Sequence, residues 1–167
     1  MLPGEAAMRA TILASLVAYA AAEYLWFGHR ASAFRARAVL WTAAAVLCIA
    51  HAALAFEVRH DWSHDAAWAQ TAAQTAAVTG LDWGGGLYAN YVFLALWGAD
   101  VAWLWCSPGS YLRRPAVVSA AVSASALFMF INGAVVFVRG PARVLGAIAV
   151  AVVMWAWWRG RDKIVTA

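Results

Sequence analysis

Residues 38–57 read AVLWTAAAVLCIAHAALAFE, twenty residues in which the first formal charge is the final Glu57. A run of about 20 apolar residues spans a hydrocarbon core about 30 Å thick as a helix. Inside that core every backbone N–H and C=O must bond internally, so a single chain segment crosses as a helix or not at all. Four more apolar runs flank this one, at 8–27, 87–106, 115–138 and 144–158. The expected fold class is therefore all-α, a polytopic transmembrane helix bundle of about five spans plus one outer interfacial helix, forming one membrane domain over residues 1–167.

Composition agrees. The chain is 65% hydrophobic and 12% charged, against about 45–50% and about 25% in soluble domains. A soluble fold of this length could not hide so much apolar surface. The formal charge of +4 comes from scattered loop arginines, which basic loops on one membrane face explain without a nucleic-acid partner. Membrane lipids, further copies of the chain or subunits of a membrane complex are the expected partners. Cys48 and Cys106 lie in or at the end of apolar runs and form no C-x-x-C pair, so neither a disulfide framework nor a thiolate zinc site is expected. Arg9 followed by Ala18-Tyr19-Ala20 has the outline of a secretory signal; the run is read instead as the first span.

Alternating sides give the orientation. With the N-terminus outside, the inner loops collect Arg30, Arg35, Arg37, Arg113, Arg114, Arg159, Arg161 and Lys163, and the outer ones only Arg9, Arg59, Arg139 and Arg143. The positive-inside bias then puts the C-terminus in the cytoplasm. Tryptophans follow the same map. Trp26, Trp41, Trp103, Trp105, Trp155, Trp157 and Trp158 fall near inner ends, where indoles favour the headgroup level, and Trp97 alone is placed mid-membrane.

The connection between Glu57 and Leu87 is too long to be structureless. Ser63 or Asp61 suits an N-cap, Asp65 a first helical turn, and Thr79-Gly80 a stop. These signals predict a helix over 64–79 on the outer surface, followed by a Gly84-Gly85-Gly86 hinge.

The same region carries the sharpest candidate chemistry. If the second helix runs on past the membrane edge, Glu57, His60, Asp61 and His64 stand at i, i+3, i+4 and i+7 on one face. Two imidazoles four residues apart can share one ion, and Glu-x-x-His is half of a di-iron motif. The second half is missing, and four histidines are too few for the membrane desaturases and hydroxylases. A mononuclear zinc, copper or iron site remains, with Asp65 or Asp82 as further ligands. The alternative is that these polar side chains merely solvate and cap the loop. His51, inside the second span, should face the interior, at the depth of Asn90, Tyr91 and Asn132, where the four would line a pocket opening outward. It could ligate a metal or haem, relay protons, or simply hydrogen-bond to Asn90 or Asn132 between helices. On the inner half, Glu23 and Asp100 each need a partner or a bound proton; Arg30, Arg113, Arg114 and Ser119 are the candidates. Signatures of serine hydrolases, phosphate loops and dinucleotide binding are missing from the sequence.

The string Trp62-Ser63-His64, Gln74-Thr75-Ala76, Thr79-Gly80 and Trp83-Gly84-Gly85-Gly86-Leu87-Tyr88-x-Asn90-Tyr91 resembles a group of small bacterial inner-membrane proteins with no established activity. The resemblance implies a bacterial cytoplasmic membrane and no mechanism. Three functions are expected, in descending order: a metal or haem site in the outer His/Glu/Asp cluster, a non-catalytic accessory subunit of a membrane complex, and a small proton-coupled transporter using Glu23 and Asp100. The last is disfavoured at this point by the lack of visible repeats.

Overall fold

The computed structural model describes residues 3–28, 33–138 and 140–165. Arg30, Arg139 and the side chains of Arg161 and Lys163, which enter the charge count above, lie outside the described residues.

The described residues form helices without a strand: α1 (Pro3–Gly28), α2 (Phe34–His60), α3 (His64–Thr79), α4 (Gly86–Cys106), the short α5 (Pro108–Leu112), α6 (Ala116–Ile131) and α7 (Pro141–Val165). A π-helical turn, Asn132–Val136, continues α6. Among the described residues four helical stretches are long and apolar enough to cross a membrane: Gly4–Trp26, Phe34–His60, Gly86–Cys106 and Ala116–Val136. The expected run at 144–158 lies within α7.

α1 and α2 pair antiparallel along most of their length. Glu5 meets Arg59 at 3.2 Å, His51 Nδ1 meets the Met8 carbonyl at 2.9 Å, and Ser15 Oγ donates to the Ala44 carbonyl at 2.7 Å. Buried Ala20, Ala22, Ala38, Ala44 and Ala45 let the backbones approach, the usual device where hydrocarbon tails leave no hydrophobic force between helices. α4, α6 and α7 complete the bundle. At its centre Tyr19 stacks on Phe130 with centroids 4.9 Å apart, and Trp97 lies 5.2 Å from both Trp41 and Phe93. Outward-facing Val17, Val46, Val92, Leu96, Phe128 and Ile148 are exposed, as a lipid-contacting face requires.

Two helix ends are set by local chemistry. Ser63 caps α3, its hydroxyl accepting from the Ala66 N–H at 3.2 Å, and Gly80 stops it in the left-handed conformation, φ 78°. The glycine hinge then packs closely: a Cβ on Gly84 would lie 2.6 Å from the Trp68 indole.

Candidate functional site

The two ends of the bundle treat ionisable residues differently. At the α3 end, helix α2 terminates at His60, and Asp61 and Trp62 both take left-handed backbone conformations, φ 46° and 57°. That corner turns the chain away before His64, which begins α3. The face required by the i, i+3, i+4, i+7 spacing is therefore broken, because the spacing holds only along one continuous helix.

Each member of the cluster is engaged locally or faces solvent. The Glu57 carboxylate accepts from the Trp62 indole N–H, and Trp62 stacks on Phe56 at 6.1 Å. His60 stands edge-on to Phe56 at 5.6 Å. His64 Nδ1 lies 3.2 Å from the Tyr91 hydroxyl, with the Tyr88 ring 5.7 Å away. Asp61, Asp65, Asp82 and Asn90 are exposed. Two of the residues expected to line the outward pocket, His51 and Asn132, take backbone carbonyl partners. His51 is bonded to the Met8 carbonyl, which can only accept, so Nδ1 carries the proton. Asn132 donates to the Phe128 carbonyl of its own helix at 2.8 Å. Among the described residues no three His, Cys, Asp or Glu side chains converge as a metal site.

At the α5 end, by contrast, two acidic and two basic side chains from different elements are buried: Glu23 of α1, Arg37 of α2, Asp100 of α4 and Arg114 in the turn before α6. Asp100 is saturated. Its Oδ1 accepts from Arg114 Nη1, and its Oδ2 from the Trp41 indole at 2.8 Å and the Tyr111 hydroxyl at 3.0 Å. Arg114 in turn donates through Nε to Ser119 at 2.7 Å and lies 3.9 Å above the Tyr111 ring. Such completeness is what makes a buried ion pair tolerable, since an unpaired charge there loses its hydration for nothing. Arg114 and Ser119 were among the partners expected from the sequence; Arg113 is exposed, and Arg30 lies outside the described residues.

Arg37 was read as a loop residue but belongs to the first turn of α2 and is 1% exposed. Its guanidinium carbon stands 4.0 Å over the Trp26 ring, and Nη1 donates to the Tyr111 hydroxyl at 3.2 Å. Tyr111 therefore accepts from Arg37 and donates to Asp100, linking both halves. Burial pushes the Tyr111 phenol above its ordinary value, the nearby Arg37 pulls it back, and Asp100 adds to the rise.

Glu23 is fully buried and held by neutral donors: Ser123 Oγ at 3.0 Å on one oxygen and Trp157 Nε1 at 2.8 Å on the other. The Ser123 carbonyl accepts from Tyr19 at 3.0 Å. Among the described residues neither Glu23 nor Arg37 takes part in an ion pair. Among the described residues two buried side-chain N–H groups have no acceptor, Arg37 Nε and Trp97 Nε1.

Trp41 and Trp157 correct the interfacial reading of inner-end tryptophans: their N–H groups point into this cluster rather than to headgroups. A signal for Arg37 was present. Arg37, Trp41, Ala44 and Cys48 recur at spacings of four, three and four and are all buried, the stripe of a helix packed on neighbours. Comparison of the chain with protein-family models, curated proteins and solved structures gave no match.

Proposed function

We propose that this is a bacterial inner-membrane protein of the proton-coupled transporter class, whose working site is the buried acid–base cluster at the α5 end, with Glu23 as the group that takes up and releases a proton. The supporting observation is the environment of Glu23. Its carboxyl is buried between α1, α6 and α7 with neutral hydrogen-bond donors and no ion pair among the described residues. A carboxyl so placed changes charge state without breaking a salt bridge, whereas Asp100 is tied directly to Arg114. Intramembrane ionisable groups are expensive, and they mark proton or ion pathways in pumps and transporters. Basic residues weighted toward this end support a cytoplasmic position for it, with the N-terminus outside.

Infrared spectroscopy of the chain in lipid vesicles tests the reading. A protonated-carboxyl C=O band that comes and goes with pH is expected, absent in Glu23→Gln and unchanged in Glu57→Gln. A spectrum with no Glu23-dependent band at any pH would overturn it and favour the accessory-subunit function, which copurification of a stoichiometric partner would then support.

A further inference from the structure

The charges of the α5-end cluster can be counted. Glu23, Arg37, Asp100 and Arg114 cancel when both acids are ionised. Asp100 and Arg114 cancel each other in direct contact. The remaining balance is Glu23 against Arg37, which are not in contact among the described residues. Among the described residues, a proton on Glu23 therefore leaves Arg37 a buried cation without a counter-charge, the state a low-dielectric interior tolerates least.

We infer that Arg37 is the binding group for a small monocarboxylate anion, which enters with the proton on Glu23 so that the pair crosses the membrane without net charge. The inference rests on the reading of Glu23 as the proton carrier. Arg37 offers the chemistry directly: its Nε–H is buried and has no acceptor among the described residues, and a guanidinium edge presents parallel donors that match the two oxygens of a carboxylate. The group is also held in place before any ligand arrives, over the Trp26 ring and tied through Nη1 to Tyr111. Tyr111 is itself fixed by Asp100. The ligand must be small, because the rings of Trp26, Trp41 and Tyr111 stand 4.0, 5.2 and 5.9 Å from the guanidinium carbon.

The pH dependence follows from the groups around Glu23. Tyr19 lies on its own helix, Arg37 on α2, Asp100 on α4, Tyr111 on α5 and Arg114 before α6; α6 and α7 contribute the neutral donors Ser123 and Trp157. Asp100 is neutralised by Arg114, so the proton that tracks anion binding is the one on Glu23. Linkage then requires that affinity strengthen as pH falls, by about tenfold per pH unit where Glu23 is ionised in the free protein.

Sodium formate is the probe. Titration of the full chain in detergent, read by tryptophan fluorescence because Trp26 and Trp41 flank Arg37, should give saturable binding that tightens with acid. One proton should be taken up per formate bound in weakly buffered solution. Glu23→Gln, neutral at every pH, should bind formate with no pH dependence, and Arg37→Gln should lose binding. Absence of saturable formate binding to the wild-type chain, or its survival in Arg37→Gln, overturns the inference. Should Arg37→Gln fail to fold, formate binding without proton uptake by the wild-type chain overturns it equally. The two readings fail separately: a Glu23-dependent infrared band without formate binding removes only the anion, whereas formate binding with no such band and no proton uptake removes the proton carrier.

Discussion

Glu57 and Asp100 are both helical carboxylates in an apolar chain, at opposite ends of the bundle, and the fold uses them in opposite ways. Glu57 is exposed and bonds to Trp62, five residues on along its own chain. Asp100 is 4% exposed and gathers donors from α2, α5 and the turn before α6. The difference lies in what stands opposite. The α3 end is closed by a surface helix joined through a tight corner, so its polar groups find solvent and near neighbours. The α5 end is where several long helices and a short one converge, so its polar groups find only each other. Residue type did not distinguish the two ends; convergence did.

The contrast is broken most severely by removing one member of the buried pair. Arg114→Ala leaves Asp100 as an uncompensated buried anion and should destabilise the bundle by about 3–5 kcal/mol, measured by reversible unfolding in mixed micelles. A loss no larger than that of an exposed-residue control would show that the α5 end is as loosely built as the α3 end.

Tyr111→Phe removes a single hydroxyl that serves both Arg37 and Asp100, and should cost about 1–3 kcal/mol. The same variant sharpens the pH behaviour. Because the folded phenol holds its proton more tightly than its ordinary value of 10.0, its contribution is complete below that value and lost as pH rises through the higher folded value. The wild-type chain should thus lose stability in strong alkali more steeply than Tyr111→Phe, a difference visible in pH-dependent unfolding midpoints.

At the α3 end the effects should be small. Ser63→Ala removes the cap of α3 and should cost about 1 kcal/mol, read as increased amide exchange in the first turn of that helix. His60→Ala and His64→Ala should each lie within about 0.5 kcal/mol of the wild-type chain. Metal analysis of the purified protein is the sharper arm: a stoichiometric zinc, copper or iron ion lost from both variants would restore the ligand cluster first read from the spacing.

Some of this was legible beforehand because it is local. The helix over 64–79 follows from Ser63, Asp65 and Gly80, whose effects act within one turn, and the structure bounds α3 at the same residues. The helical membrane architecture follows from run length, since hydrocarbon leaves the backbone no other option. Asp100 with Arg114 and Ser119 was within reach because a buried carboxylate needs a cation and the next loop supplies one. Arg37 and Trp41 were missed because a basic loop and an interfacial indole are the commoner uses of those residues near a span end. Moving the start of α2 to Phe34 turns Arg37 onto the buried stripe, and run length does not fix a start to within a few residues.

The sequence by itself thus determined that the chain is helical and apolar enough for a membrane, where α3 begins and ends, and that Glu23 and Asp100 must be compensated. Only the tertiary structure decided how. It ended α2 in a left-handed corner that separates His60 from His64, and it brought Arg37, Tyr111, Arg114, Ser123 and Trp157 around the two carboxylates. The physical reason is range: caps and spans are fixed by neighbours along the chain, whereas compensation of a buried charge depends on helices that meet only when the bundle packs.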